Sequence, residues 1–289
     1  MNLVTIAINK VNLHNLQFSL NCKCRIYIFR KVLSESKNIV ALTGAGVSAE
    51  SGIPVFRGKG GLWRTHRSVD LATPHAFHAN PSLVWEFYQY RRNIAFNAQP
   101  NDAHKALAKY EKICREEGRI FSIITQNVDG LHQRAGSEEV IELHGALHKV
   151  ICTKCKLVDE NFDDPICEAL RNRGGPTMSD QDLPTIDKKD LPKCKRCQEL
   201  LRPYIVWFGE NLDPKVLLQT RELVENKCDL CLVIGTSSVV YPAAMFAPIV
   251  AERGKMVAEF NLNENPANDL FTFHFPGQCG STLPKALNM

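Results

Sequence analysis

Four cysteines are spaced for metal chemistry. Cys152-x2-Cys155 and Cys194-x2-Cys197 form two short pairs on either side of a polar, irregular segment. Thiolates at this spacing converge on one tetrahedral zinc ion, and four protein ligands leave no open position for a reacting group. The pattern implies one structural Zn2+; two redox or unpaired thiol pairs are the other use of the same residues. Cys167 is a spare. A third pair, Cys228 and Cys231, lies in an apolar run and would have to leave a continuous strand to share a metal, so it reads as core. The cysteine count is odd, at 11, which argues against a disulfide framework and suits a reducing compartment.

Other residues carry anion and proton chemistry. Gly44-Ala45-Gly46-Val47-Ser48-Ala49 is a G-x-G-x-x-A turn after the apolar run Asn38–Leu42. Such a turn brings backbone N–H groups and a helix N-terminus to a pyrophosphate, although a plain glycine turn fits the same letters. Ser51-Gly52-Ile53-Pro54 then stops the helix, and Phe56-Arg57 with nearby glycines reads as a loop over the phosphates. Gln126-Asn127-Val128-Asp129 follows a second apolar run. His144 follows a third, and imidazole titrates near working pH, so a strand-end histidine is a candidate base. Tyr88 and Arg91 are three apart on a helical pattern; a phenol beside a guanidinium grips a carboxylate, and a packed Tyr next to a surface Arg is the bland alternative.

The elements that position these groups alternate. Apolar strands are read at 38–42, 119–125, 140–143, 228–234 and 255–260, and helices at 29–37, 82–93 and 101–117, with Ala106, Leu107, Tyr110 and Ile113 inward. Strand–helix alternation predicts an α/β fold, a doubly wound parallel sheet. The segment 202–210 is expected to return the chain to that sheet.

The stretches GAGxSxxSGIPxFRG, TQNVDGLH, ELHGAL and RPxxVWFGE together resemble the sirtuins, NAD-dependent protein-lysine deacylases, from about Phe29 onward. The resemblance implies a Rossmann-like domain with a smaller module, built from a helical insertion at about 63–105 and a zinc-ribbon insertion at about 151–200. Residues 1–28 are left as a candidate transit or disordered segment, and 29–289 as the catalytic domain. NAD is implied as co-substrate. By resemblance it is approached by Gly44, Ala45, Gly46, Ser48, Ala49, Glu50, Pro54, Phe56, Arg57 and Trp63. Gln126, Asn127, Val128 and Asp129 line the nicotinamide and ribose pocket. Gly235, Thr236 and Ser237 follow a strand, and Asn261, Leu262, Asn263 and Cys279 serve the adenosine half. NLN at 261–263 departs from the family's NTE. His144 is the implied general base, with Asn127 also catalytic. The loop of Val206, Phe208, Gly209 and Glu210 is implied to pair with the substrate peptide, beside Tyr241. WEFYxYRR is similar to the mitochondrial member that prefers negatively charged acyl groups; there the residues matching Tyr88 and Arg91 bind the acyl carboxylate, and the one matching Ala72 widens the pocket.

Composition limits the remainder. The net charge is +4; residues 1–34 hold five basic residues and no acid, which leaves the rest at −1. Nothing in that balance supports nucleic-acid binding, and no apolar run is long enough to span a membrane. The acid-free start, together with the resemblance, points to the mitochondrial matrix, with cytoplasm and nucleus as further settings. Expected partners are acyl-lysine proteins, and the chain is expected to be monomeric. Rival functions are an NAD-dependent ADP-ribosyltransferase and a non-enzymatic NAD or ADP-ribose sensor. The proline-stopped loop argues against an ordinary dehydrogenase.

Overall fold

The computed structural model describes residues 22–55, 61–180, 183–263 and 268–289. Its centre is a six-stranded parallel sheet. The strands are β1 (Asn38–Thr43), β4 (Ile120–Thr125), β5 (Val140–Glu142), β9 (Leu230–Ile234), β10 (Met256–Asn261) and β11 (Phe273–Pro276). Their order is β11-β10-β9-β1-β4-β5. The order reverses at β1, where both βα directions diverge and a crevice opens beyond the carboxyl ends.

Side chains alternate across β1, and both faces are apolar. Ile39 and Ala41 join one buried cluster, Val40 and Leu42 the other. The first is covered by α1 (Cys22–Glu35), α6 (Asp102–Glu116) and α10 (Cys279–Leu287). The second is covered by α8 (Pro214–Arg221), its continuation through Lys227, and α9 (Ala243–Glu252). At the carboxyl end Thr43 pairs with Thr125 in register, and the Thr43 hydroxyl donates to that of Thr125 at 2.8 Å.

Helix α1 begins at Cys22, inside the segment 1–28 set apart in the sequence. Phe29 is fully buried, edge-on to Phe260, Phe273 and Phe275 at 5.1–5.8 Å, and Arg25 donates to the His274 carbonyl. In α6 the inward place expected for Ile113 is taken by Cys114, which is buried while Ile113 is half-buried.

The smaller module has its own core around Trp63, Trp85, Phe87 and Trp207. It contains a two-stranded ribbon, β2 (Leu62–Trp63) with β3 (His66–Arg67). Three helices follow: α3 (Ser68–Leu71), α4 (Pro74–Ala79) and α5 (Pro81–Asn97). Thr73 and Asn80 cap the last two, and each has Pro at its first turn. A three-stranded antiparallel sheet orders β7 (Val158–Glu160), β6 (Gly145–Cys152) and β8 (Leu201–Ile205). The segment 202–210 therefore does not return to the parallel sheet. Its strand pairs with β6, because β6 offers an open antiparallel edge directly after His144.

Candidate active site

One cavity of about 680 Å3 lies at the crevice, between the ends of the parallel strands and the small module. Ligand clefts commonly run about 300–1,000 Å3. Four strand ends deliver its polar wall. After β1 come Gly44, Ala45, Gly46 and Ser48, with Pro54 further on; after β4 come Gln126, Asn127, Val128 and Asp129. After β9 and β10 come Gly235, Thr236 and Ser237, then Asn261, Leu262 and Asn263.

The glycines serve a backbone crossing first. Gly44 donates its N–H to Ile234 O at 3.0 Å, and Gly46 donates to Gly235 O at 2.7 Å. A Cβ on Gly46 would stand 2.7 Å from that oxygen, and one on Gly235, at φ +58°, 2.4 Å from Val47 N. These two N–H groups are engaged with protein, so phosphate contact falls to the rest of the turn. Below it, Ser48 Oγ donates to Asp129 at 2.8 Å and accepts from Asn127 Nδ2 at 3.1 Å. Burial raises the Asp129 carboxyl, against the pull of Leu131 N–H, Ser48 and Arg91. His104 stands behind Ser48 at 3.5 Å and completes the N-terminal capping of α6 with Asn101.

His144 lines the same cavity, between β5 and β6. Its Nδ1 lies 3.1 Å from Gln126 O. A carbonyl only accepts, so Nδ1 carries the hydrogen and Nε2 keeps its lone pair. Burial lowers its pKa, more than the Gln126 bond restores it, so the ring is neutral at pH 7. The next residue makes this placement possible. Gly145 has φ +81°, and a Cβ there would lie 2.0 Å from Tyr204 O.

Ala72, Tyr88 and Arg91 are all buried and also line the cavity. Arg91 donates to Pro54 O at 3.2 Å, and burial lowers its pKa without removing its charge. Burial raises the Tyr88 phenol, which is neutral. The mouth carries Val206, Phe208, Gly209, Glu210 and the exposed Tyr241. Val206 N–H donates to His144 O and Phe208 N–H to Ala72 O, each at 2.9 Å, tying this loop to two other residues of the cavity lining. Burial alone would raise the Glu210 carboxyl; its two bonds from Arg202, at 2.6 and 2.7 Å, hold it below the ordinary value.

Four of the expected cofactor residues stand apart from the lining, and two more are not described. Phe56 and Arg57 fall outside the described residues. Trp63 is core of the small module, its indole donating to Gly174 O at 2.9 Å. Cys279 is buried against Phe260 O, and Glu50 accepts from Gly280 N–H at 2.7 Å, capping α10. Ala49 is exposed on α2 (Ala45–Ala49), away from the cavity lining. Trp207 and Leu147 also line the cavity; Trp207 falls inside the VWFGE stretch without a role assigned to it, and Leu147 reads as ordinary apolar filling.

The two cysteine pairs meet at the far edge of the small module. The Sγ atoms of Cys152, Cys155, Cys194 and Cys197 all lie within 4.8 Å of one another. Cys152–Cys197 and Cys155–Cys194 are 3.4 and 3.6 Å apart. A tetrahedron with Zn–S near 2.3 Å has edges of about 3.8 Å, so the donor set fits one zinc. Cys167 takes no part, and Cys228 and Cys231 are buried in the core, as expected.

A model of the Sir2 family matches residues 44–242. The chain belongs to the Sir2 family. An NAD-dependent protein deacylase of Daphnia pulex is 58% identical over 261 residues, 90% of this chain and 94% of the relative. The mitochondrial NAD-dependent protein deacylase sirtuin-5 of Canis lupus familiaris is 55% identical over 262 residues, 90% of this chain and 84% of the relative. Among solved structures, a Sir2 homologue in complex with NAD superposes with a TM-score of 0.77 at 42% identity, covering 91% of this sirtuin and 92% of that chain.

Proposed function

We propose that this sirtuin removes acidic acyl groups, succinyl, malonyl or glutaryl, from protein lysines and consumes NAD in doing so. It is an NAD-dependent protein deacylase, the activity that relatives sharing more than half of its aligned residues are named for. The acyl preference rests on one observation: a single cavity is lined by His144 and by Tyr88, Arg91 and Ala72.

NAD, when bound, supplies a ribose carbon that the acyl oxygen attacks as nicotinamide leaves. The protein's part is placement and proton handling. Gln126 and Ser48–Asp129–Asn127 would shape the ribose end, and His144 Nε2 would take the proton of a ribose hydroxyl as that oxygen bonds the acyl carbon; with one water consumed to release the amine, the products would be free lysine, nicotinamide and O-acyl-ADP-ribose. Holding amide and ribose in contact within a closed crevice supplies much of the rate. The zinc cysteines hold the small module together and take no chemical step.

The substrate main chain pairs with the Val206–Glu210 loop, so many peptide sequences are accepted. The dog relative's mitochondrial name supports a matrix setting; the transit segment we assign lies almost wholly outside the described residues. No helix among the described residues is long and apolar enough to cross a membrane.

Paired succinyl-lysine and acetyl-lysine peptides test the reading. Succinyl removal well above acetyl removal, with Arg91→Met cutting the former far more, is the expected result. Equal losses would discard the carboxylate role, and NAD binding without turnover of either peptide would favour the sensor.

A further inference from the structure

Trp207 sits against the acyl end of the cavity, and its contacts define a direction. Its indole Nε1 lies 2.8 Å from the Tyr88 hydroxyl oxygen, and both side chains are buried. An indole N–H only donates, so Tyr88 must accept this bond. The phenol oxygen is thereby filled on one side, and its own proton has to be given elsewhere. Among the described residues Trp207 is its only hydrogen-bond partner, and Tyr88 faces the cavity.

The indole is itself held from three directions. The Arg202 guanidinium stacks over its ring at 3.5 Å, within cation–π range. Glu210 accepts both Arg202 nitrogens and also the Trp207 backbone N–H, at 2.9 Å. Phe77 packs on the ring, with centroids 5.2 Å apart.

We propose that Trp207 is a specificity-determining positioning residue: by donating to Tyr88, it fixes the phenol as a hydrogen-bond donor to the substrate's acyl group. The inference rests on the acidic-acyl reading and deepens it. Such a phenol rewards an acyl tail that ends in an acceptor, as a carboxylate does. An acetyl group offers no atom there and leaves the phenol proton unpaired. Trp207 acts through Tyr88, so its effect vanishes when the hydroxyl is removed.

The test compares kcat/KM for succinyl-lysine and acetyl-lysine peptides in the holoenzyme. The ratio of the two is the readout, with deacetylation as the reference for general damage. Trp207→Phe keeps an aromatic ring and deletes the donor. It is expected to lower the ratio about tenfold, chiefly through KM for the succinyl peptide, the scale of one lost hydrogen bond. In a Tyr88→Phe background the same change should move the ratio no further. A proportionate loss of both activities, or a full additional loss in the Tyr88→Phe background, overturns the proposal. Arg91→Met separates the two levels of argument. If it leaves the ratio intact, the acidic-acyl reading fails and takes this role with it. If it collapses the ratio while Trp207→Phe does not, only the positioning role fails. A second measurement avoids substituting Trp207: the chain has three tryptophans, hence three indole N–H resonances. Tyr88→Phe should shift the Trp207 signal upfield, and an unmoved signal refutes the bond.

Discussion

Gly145→Ala tests how His144 is held in place. The new Cβ would meet Tyr204 O at 2.0 Å and Tyr204 C at 2.9 Å. Real Cβ contacts do not fall below about 3 Å, so β8 and β6 must part by roughly 1 Å. Alanine at φ +81° adds strain of about 1–3 kcal/mol, and the parted strands weaken a ladder bond by about 1 kcal/mol. The sum is about 2–4 kcal/mol, which in a chain of this size lowers the melting temperature by roughly 4–12 °C. The catalytic effect is larger than the stability effect suggests. His144 O is bonded to Val206 N in the peptide loop, so a shift of β8 moves base and substrate relative to each other. A misplacement of about 1 Å costs about 100-fold in rate, and the loss should fall on kcat more than on KM. Thermal unfolding and steady-state deacylation measure both. A variant that melts within about 1 °C of the parent and keeps kcat within about twofold would refute the reasoning, since neither strain nor displacement would be present.

Because burial lowers the His144 pKa, its base form persists below the ordinary histidine value; the acid limb of kcat/KM should lie below about pH 6.5, and a limb at or above that value would remove His144 as the base. Stability should also fall on acidification. Burial lowers His104 to about 4 and His132 to about 3, so between those values and about 6.5 the unfolded chain binds more protons, and stability is lost as pH falls through that window. A melting temperature flat from pH 7 to pH 5 would contradict the burial of these rings. Chelating zinc, or Cys194→Ser, should unfold the small module and abolish turnover; full activity in metal-free protein would count against a structural role. Phe29→Ala should cost about 3–5 kcal/mol in urea unfolding, while a cost under about 1 kcal/mol would mean that α1 is dispensable to the core.

Much of this arrangement was legible because its signals are local. The cysteine pairs, the strand-end histidine and the apolar runs each lie within a few residues, and spacing alone located them. What escaped the reading depends on partners far apart in the chain. Trp207 and Tyr88 are 119 residues apart, and nothing near Trp207 marks it as a donor to a phenol. Trp63 sits in a motif-bearing loop, yet its volume is placed in the small-module core by Phe87 and Gly174. The segment 202–210 carries a strand pattern that any sheet could accept; the free edge of β6 decided which one. Helix α1 starts before the expected 29–37 because Ile26 and Ile28 also pack on the core. The G-x-G glycines line the cavity, but their tightest steric demand comes from the Gly235 turn.

The Thr43–Thr125 pair has a consequence for registry. A strand that is apolar on both faces has little to lose when it slips by one position, because either face finds grease. In β1 the hydroxyl rung at the carboxyl end removes that freedom. Slipping by one would set Leu42 or Gly44 against Thr125 and strand two buried hydroxyls, one of which also meets His132 at 3.0 Å. Gly44 and Gln126 are the next residues on the two strands. One polar rung therefore acts as the zero mark from which both halves of the nucleotide crevice are measured, and a fault there would misalign every later residue of the site at once.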